Sequence, residues 1–250
     1  MLPQKLNNVG VVILAAGRGT RLNCENEPKV MLQIGNRPIV SYIVATLKKI
    51  GFKKEQICLV VGFKKDKVIK YFGDSVSYAT QADQKGTAHA AYIGMKSLPA
   101  NINQVLVVNG DDSAFYRPET LINFIDEHLK NKVILSLFTT DVGSNTGKIV
   151  RHGDGQVEII EKEYLTEEQK KITEISTGTF MFKRAWFEEI FPSMPLLRKL
   201  KEFGLPTALA IARDHHEKYQ VVKMKNSQEW FGINTLEELD QANAAIKKYF

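Results

Sequence analysis

A short loop of small and basic residues near the start of the chain has the composition of an anion-binding site. Its sequence is LAAGRGTRL, residues 14–22, and Lys29 follows shortly after it. Small residues let the backbone approach a ligand closely, and successive amide N–H groups in such a loop form a concave anion site. Arg18, Arg21 and Lys29 bring three positive charges to this stretch, which suits a triphosphate better than a single phosphate. A plain strand-to-helix turn with exposed basic residues is the alternative interpretation.

Two better-known phosphate-binding motifs do not fit the sequence. A P-loop needs Gly, four residues and then Gly-Lys-Ser/Thr, and no segment supplies that spacing. A dinucleotide fingerprint needs Gly or Ala where Leu22 stands, and an acidic residue about 20 positions further on. The stretch from Arg37 to Ala45 contains no acid. A hydride-transferring enzyme is therefore disfavoured.

Hydrophobic patterning predicts the elements that must position this loop. Val9–Leu14 is a β-branched run typical of a strand buried on both faces of a parallel sheet. Further apolar runs predict strands at Gln56–Val61, Gln104–Val108, Val133–Thr139, Ser176–Lys183 and Tyr219–Met224. Periodicity and end signals predict helices at Pro38–Ile50, Lys65–Phe72, Gly86–Leu98, Pro118–Leu129 and Pro206–His216, and a terminal helix capped by Asn234 or Thr235. Thr87 is the candidate N-cap of the helix at Gly86–Leu98.

This alternation of strands and helices predicts an α/β fold with a doubly wound, mostly parallel sheet. Such sheets bind ligands at the carboxyl ends of their strands, where the basic loop stands. After Gly147 two strand-like segments follow one another without a helix between them. These segments, Lys148–Arg151 and Gln156–Glu161, predict a hairpin in a small β-rich portion. No internal repeat, low-complexity tract or linker divides the chain, so residues 1–250 are predicted to form a single domain.

The composition excludes several classes of protein. A chain with 44% hydrophobic and 25% charged residues is neither disordered nor fibrous. Its net charge of +6 comes from dispersed lysines without interleaved aromatic rings. That distribution favours a solvated surface or a phosphate-rich small ligand, and it predicts no nucleic-acid partner.

Hydrophobic runs and cysteine content indicate where in the cell the protein is located. No apolar run approaches the roughly 20 residues that span a bilayer, and Val9–Ala16 is too short for a signal-peptide core. Cys24 and Cys58 cannot form a disulfide framework, which suits a reducing compartment. These observations predict a cytoplasmic protein with no membrane partner. The oligomeric state is not readable from the sequence.

The pattern LAAGRGTRL followed by PKVML resembles the nucleotidyltransferase family that makes nucleotide sugars from a nucleoside triphosphate and a sugar 1-phosphate. Four further segments are similar in the same order: QADQKGTAHA from Gln81, Gly110-Asp111, the stretch from Ile160 to Gly178, and Gly232-Ile233-Asn234. The first of these resembles the base-binding segment of the N-acetylglucosamine-1-phosphate uridylyltransferases. The hexapeptide repeats of the acetyltransferase domain that many of those enzymes carry are not found in this sequence.

The resemblance implies a role for each matched residue. Nucleotide binding is implied for Leu14, Ala15, Ala16, Gly17, Gln81, Gly86 and Thr87. Catalytic charge stabilisation is implied for Arg18, Arg21 and Lys29. Sugar binding is implied for Gly147, Glu161 and Ser176. Coordination of a Mg²⁺ cofactor is implied for Asp111 and Asn234.

The chemistry of these residue types fits the implied roles, although each has a structural alternative. A carboxylate suits Mg²⁺, but Asp111 also suits a turn, and the adjacent Asp112 is better explained as a turn residue than as a second ligand. Asn234 is a good helix N-cap. Gln81 offers both a donor and an acceptor to the edge of uracil, unless it is an exposed loop residue. His89 has no evident carboxylate or serine partner for a role as general base.

Three departures from the family pattern concern the sugar. Ser176 stands where the family has Asn, Asn109 stands where an aromatic residue is usual, and no Asp follows Thr207. The resemblance implies a Mg²⁺-dependent enzyme that joins UTP to N-acetylglucosamine 1-phosphate or a related hexose phosphate. Another triphosphate, a non-sugar phosphate and a non-catalytic nucleotide-sugar sensor remain open alternatives.

Overall fold

A mixed sheet flanked by helices forms the centre of the fold. The structure is a computed structural model that describes residues 5–19, 22, 24–143, 146–197 and 199–246. Its strands are β1 (Val9–Ala15), β2 (Gln33–Ile34), β3 (Arg37–Pro38), β4 (Ile57–Val61), β5 (Ser77–Thr80), β6 (Gln104–Asn109), β7 (Leu135–Asp141), β8 (Lys148–Arg151), β9 (Val157–Ile160), β10 (Glu174–Lys183) and β11 (Tyr219–Lys223). Its α-helices are α1 (Ile39–Ile50), α2 (Lys65–Phe72), α3 (Thr87–Ser97), α4 (Pro118–Asn131), α5 (Arg184–Ile190), α6 (Pro206–Asp214) and α7 (Leu236–Ile246).

The main sheet has the strand order β11-β7-β10-β6-β1-β4-β5. All neighbours on this path are parallel except β10, which runs antiparallel to both β6 and β7. The predicted doubly wound, mostly parallel α/β sheet is therefore confirmed. The antiparallel β10 divides the sheet into two parallel groups.

Strand β1 lies in the middle of the larger parallel group. Val11 pairs with Ile57 of β4 on one side and with Leu106 of β6 on the other. Successive side chains of a strand point to opposite faces, so Val11 enters one apolar core and Val12 enters the other. This burial on both faces explains the near-continuous β-branched sequence of β1.

Several predicted boundaries differ from the observed ones. The strand predicted at Val133–Thr139 runs from Leu135 to Asp141, and both edge strand β5 and helix α5 were not predicted. Strand β5 has a mixed sequence, Ser-Tyr-Ala-Thr, because only one of its residues is buried. Without a continuous apolar run, its pairing with β4 has no local signal.

The prediction that Thr87 caps helix α3 is wrong. Gly86 occupies the N-cap position with φ +99° and makes no side-chain cap hydrogen bond. The Thr87 hydroxyl instead accepts a hydrogen bond from the Leu205 amide at 3.0 Å. The Thr87 hydroxyl therefore makes a tertiary contact with Leu205 and does not cap the helix.

The predicted β-rich portion is present as the β8–β9 hairpin. Arg151 pairs with Val157 across it, and Lys148 pairs with Ile175 of β10, which attaches the hairpin to the main sheet. The register between β10 and β7 shifts between Ser176 and Phe180. This bulge bends β10 where it passes from the main sheet to the hairpin.

Among the residues that the structure describes, no helix has both the length and the apolar character needed to cross a bilayer.

Candidate active site

A cleft of about 510 Å³ opens where β1 and β6 end and α3 begins. This position is the carboxyl edge of the parallel strands, where α/β sheets bind ligands. Most of the residues with a sequence-predicted role line it: Leu14, Ala16, Gly17, Lys29, Gln81, Gly86, Thr87, Asp111, Glu161 and Asn234. The cleft thus gathers segments from the whole length of the chain.

Three predicted residues meet at one point of this cleft. The Lys29 Nζ atom donates to Asp111 Oδ2 and, at 3.0 Å, to Asn234 Oδ1. The Lys29 side chain is only 10% exposed, and that of Asp111 is 28% exposed. Water is therefore partly excluded from the group, and its charges interact more strongly than on an open surface.

Local structure explains how each of the three is positioned. Lys29 begins a 3-10 turn after the extended Pro28. Asp111 follows β6, and the preceding amide of Gly110 bonds to the Leu14 carbonyl at 2.9 Å, which ties the end of β6 to the end of β1. Asn234 precedes helix α7.

The helix-capping role that competed for Asn234 belongs to its neighbour. Thr235 Oγ1 accepts a hydrogen bond from the Glu238 amide at 3.2 Å, and Glu238 Oε2 accepts from the amides of both Asn234 and Thr235. The backbone of Asn234 thus belongs to the cap, whereas its side-chain oxygen faces Lys29.

The donor set suits a magnesium ion. A carboxylate oxygen and an amide oxygen already converge on one cationic atom, the Lys29 ammonium. Oxygens of these two types are the protein ligands that Mg²⁺ takes when phosphates and waters complete its shell. Asp111 and Asn234 therefore fit the ion. The described residues hold no cluster of three or more His, Cys, Asp or Glu side chains of the kind that binds a metal without a substrate.

Asp112 lies beside this group in a different environment. Its Oδ2 accepts a hydrogen bond from Asn109 Nδ2 at 3.0 Å, and its buried Oδ1 has no hydrogen-bond partner among the described residues. Burial raises the pKa of Asp112 well above its usual value, and the neighbouring Asp111 carboxylate raises it further. Asp112 is thus more than an exposed turn residue, although it makes no contact with Lys29 like that of Asp111.

Asn109 is a lining residue that sequence analysis noted only as a departure from the family. Its side chain packs against Gly178, where an added Cβ would stand 2.1 Å from Asn109 Nδ2. Gly178 also has φ +73°, a conformation that only glycine adopts easily. The bulge in β10 therefore depends on glycine at this position and makes room for the Asn109–Asp112 pair.

The predicted base-reading residues line another part of the cleft. Gln81 is 4% exposed, and its Nε2 donates to the Gly86 carbonyl at 3.1 Å. An added Cβ at Gly86 would stand 2.5 Å from the Phe203 carbonyl oxygen, so the turn requires glycine both for space and for its φ of +99°. Gln84, which also lines the cleft, donates to the Ala16 carbonyl at 2.7 Å and joins this part to the basic loop.

The basic loop is only partly directed at the cleft. Leu14, Ala16 and Gly17 line it, whereas Ala15 is buried in the core on the other face of β1. Arg18 is exposed, with its guanidinium 5.7 Å from the centre of the Phe63 ring, and it borders a separate smaller depression. Arg21 lies outside the described residues.

The predicted sugar-binding residues meet at the hairpin. Glu161 lines the cleft, and an added Cβ at Gly147 would stand 3.4 Å from its Oε2. The Ser176 amide donates to the Gly147 carbonyl at 3.1 Å, but neither of these residues lines the cleft. Burial raises the pKa of Glu161, and the nearby Glu163 carboxylate adds to this effect.

Three further lining residues carry polar groups that sequence analysis did not single out: Thr146, Glu202 and Trp230. The Trp230 indole N–H donates to the Thr177 carbonyl at 3.2 Å, so its polar atom is already used inside the protein. Glu202 reaches the cleft because its segment packs against Gly86. That contact joins distant parts of the chain, so no local pattern indicates it.

Known sequences and structures resemble this chain over nearly its whole length. The sequence model of the family described as nucleotidyl transferase matches residues 10–249. The bifunctional protein GlmU of Syntrophotalea carbinolica is 33% identical over 247 residues, and that of Halalkalibacterium halodurans is 30% identical over 246. These matches cover 98% and 97% of this chain but 52% and 53% of the relatives, so the chain spans about half of their length.

A solved structure shares the fold. It is described as a glucose-1-phosphate thymidylyltransferase from Bacillus anthracis in complex with a sucrose. The two structures superpose with a TM-score of 0.75 over 95% of this chain and 94% of that one, at 20% sequence identity. At this identity the likeness establishes the fold alone.

Proposed function

The chain belongs to the nucleotidyl transferase family, and on this premise we propose that it joins UTP to a sugar 1-phosphate, giving a nucleotide sugar and pyrophosphate. The sugar is N-acetylglucosamine or a related hexose. The observation that carries the proposal is the convergence of Lys29, Asp111 and Asn234 in one cleft. The cleft lies in the volume range of small-molecule sites.

The reaction needs no nucleophile from the protein. An oxygen of the sugar phosphate, already an anion, attacks the α-phosphorus of the triphosphate. The bond from the α-phosphorus to the bridging oxygen breaks, and pyrophosphate leaves with the electron pair. Catalysis is then a matter of positioning the two substrates and stabilising their charge.

The residues for charge stabilisation are those at the end of β6 and in the basic loop. Asp111 and Asn234 would hold Mg²⁺, which when bound neutralises part of the phosphate charge. Lys29 brings a positive charge to the same point, where partial burial strengthens its effect. Arg18 and Arg21 are proposed to act on the departing pyrophosphate, because the loop that carries them follows β1 directly.

Two parts of the cleft are proposed to bind different substrates. Gln81 and the turn at Gly86 and Thr87 would receive the base. Leu14, Ala15, Ala16 and Gly17 would contact the nucleotide through their main-chain atoms. Glu161, with Gly147 and Ser176 behind it, would receive the sugar hydroxyls, since a carboxylate accepts such hydrogen bonds strongly.

The test is a coupled pyrophosphate assay with a panel of triphosphates and sugar 1-phosphates in Mg²⁺. The expected result is turnover with UTP and an amino or neutral hexose 1-phosphate, and weaker turnover with dTTP or CTP. A site with fixed donors and acceptors can reject a mismatched partner by factors of up to roughly 10⁴. No turnover with any pair would refute the proposed reaction.

Replacing Gln81 with Ala tests the base-reading role within the same assay. We expect Gln81→Ala to reduce the preference for UTP over CTP more than it reduces the maximal rate, because the side chain of Gln81 bonds to Gly86 and His89 and not to the Lys29 group. An unchanged ranking of triphosphates would assign Gln81 a purely structural role.

A further inference from the structure

The orientation of the Gln81 amide is fixed by two acceptors. Its Nε2 lies 3.1 Å from the Gly86 carbonyl oxygen and 3.0 Å from His89 Nδ1. The oxygen and nitrogen of an amide have nearly the same shape, so the hydrogen-bond network decides which of them faces a ligand. With Nε2 held by these two groups, Oε1 is the atom of Gln81 that remains for a ligand in the cleft.

The His89 ring is itself held in place by packing. It stacks on Phe191, with 6.1 Å between ring centres and an interplanar angle of 24°. Phe191 stacks in turn on Tyr92, with 4.3 Å between centres and 15° between planes. The stack fixes the plane of the imidazole ring, and the contact with Gln81 Nε2 places Nδ1 on the side of the ring that faces this amide.

The charge state of His89 is suited to accepting a hydrogen bond. Burial lowers the pKa of the ring, and the positive charge of Lys85 lowers it further, whereas Asp83 has the opposite, smaller influence. The aromatic rings packed against it carry no charge. At neutral pH the imidazole is therefore uncharged, and one of its nitrogens has a free lone pair.

We propose that His89 is a positioning residue for base selection: its Nδ1 holds the Gln81 amide so that Oε1 must receive an N–H group from the base. Uracil and thymine carry such a hydrogen on N3, whereas N3 of cytosine is itself an acceptor. The inference rests on the proposed function in one respect only, namely that this part of the cleft receives the base. It gives His89 a role without proton transfer.

Two substitutions separate this role from simple packing. His89→Leu fills similar space but removes the acceptor, whereas His89→Asn places an oxygen on the same carbon that carries Nδ1. Loss of one such hydrogen bond corresponds to about a tenfold change in affinity. We expect His89→Leu to raise KM for UTP about tenfold and to reduce the preference for UTP over CTP, with kcat nearly unchanged. His89→Asn should recover most of both properties.

The pH dependence provides a second readout. A protonated His89 donates from both nitrogens, so Nδ1 no longer accepts from Gln81. Because the pKa of His89 is lowered, KM for UTP in the parent should stay level near neutral pH and rise only in acid. His89→Asn cannot show this additional rise. Protonation of the triphosphate affects both proteins equally and cancels in the comparison.

The outcomes discriminate between the inference and the proposed reaction. Calorimetric dissociation constants for UTP with Mg²⁺ are measured on all three proteins alongside the kinetics. Weaker UTP binding in His89→Leu and its recovery in His89→Asn support the inference even if no sugar phosphate is turned over. An unchanged UTP preference in His89→Leu, a loss confined to kcat, or identical acid profiles in the parent and His89→Asn would overturn it. If the parent binds no UTP, both the inference and the proposed base are wrong.

Discussion

Adjacent aspartates in the cleft are expected to respond very differently to the same substitution. Asp111 bonds to Lys29 and points to the same atom as Asn234, whereas Asp112 bonds to Asn109. Changing either residue to Asn preserves its shape and removes one negative charge. The pair Asp111→Asn and Asp112→Asn is therefore a matched test of which carboxylate takes part in the chemistry.

The structure sets the expected magnitudes. Loss of one preorganised electrostatic group at a reacting centre typically costs about 10² to 10³ in rate. Asp111 is the only carboxylate bonded to Lys29 within the described residues, so we expect Asp111→Asn to lower kcat/KM about 10³-fold, or about 4 kcal/mol. The ion pair with Lys29 is partly exposed, and its loss should cost about 1–2 kcal/mol of unfolding free energy.

Asp112→Asn serves as the control. Its new side chain can still accept from Asn109, and it no longer keeps an ionisable group in a buried position where the pKa is raised. We expect its turnover to remain within about tenfold of the parent, and its unfolding midpoint to be unchanged or higher. Steady-state kinetics and thermal unfolding of both variants provide the comparison. Equal losses of activity in the two variants, or more than a tenth of the parent activity in Asp111→Asn, would refute this assignment.

Two further expectations concern titratable groups. Burial raises the pKa of Glu161, so the folded state binds the proton of this carboxyl group more tightly than the unfolded state does. The protonated group therefore favours the folded state at low pH, and this stabilisation is lost as the pH rises through the raised pKa. Glu161→Gln should therefore gain stability relative to the parent at pH 7 but not at pH 4, while KM for the sugar phosphate rises about tenfold or more; equal stability differences at both pH values would contradict this. Burial lowers the pKa of His128 from 6.5 to about 4, which means that the folded state favours the neutral ring. The resulting stabilisation of the folded state is complete above pH 6.5 and is lost as the pH falls to 4. The shift corresponds to about 3 kcal/mol of unfolding free energy. Measured by urea unfolding, this free energy should fall less between about pH 6.5 and pH 4 in His128→Gln than in the parent.

The sequence indicates the parallel part of the fold well because its signals are local. The β-branched run of β1, and the Pro and Gly residues that bound α1, each report on their own segment without information from elsewhere. Residues buried on both faces must be apolar throughout, so the central strands could hardly be missed. Edge strand β5 lacks that constraint, because only one of its residues is buried, and local patterns missed it.

The roles of single polar residues were less predictable. Thr87 and Asn234 both suit a helix cap by type, yet Thr87 bonds to Leu205 and the cap at α7 belongs to Thr235. Similarly, His89 offered no clue to its contact with Gln81, since helix periodicity does not show which side chain reaches across a turn. Several side chains of suitable type stand near each helix end, and only the packed structure selects among them.

By itself, the sequence determined the types of group available for chemistry and the strand ends at which they stand: the basic loop after β1, the aspartates after β6, and the amide before α7. Tertiary structure alone decided that Lys29 meets Asp111, 82 residues away, and Asn234, 205 residues away. It also decided that Arg18 turns toward Phe63 and that Asn109 pairs with Asp112 beside Gly178. The physical reason is that backbone preferences act over a few residues, whereas these contacts depend on strand order, register and the burial of distant segments against one another.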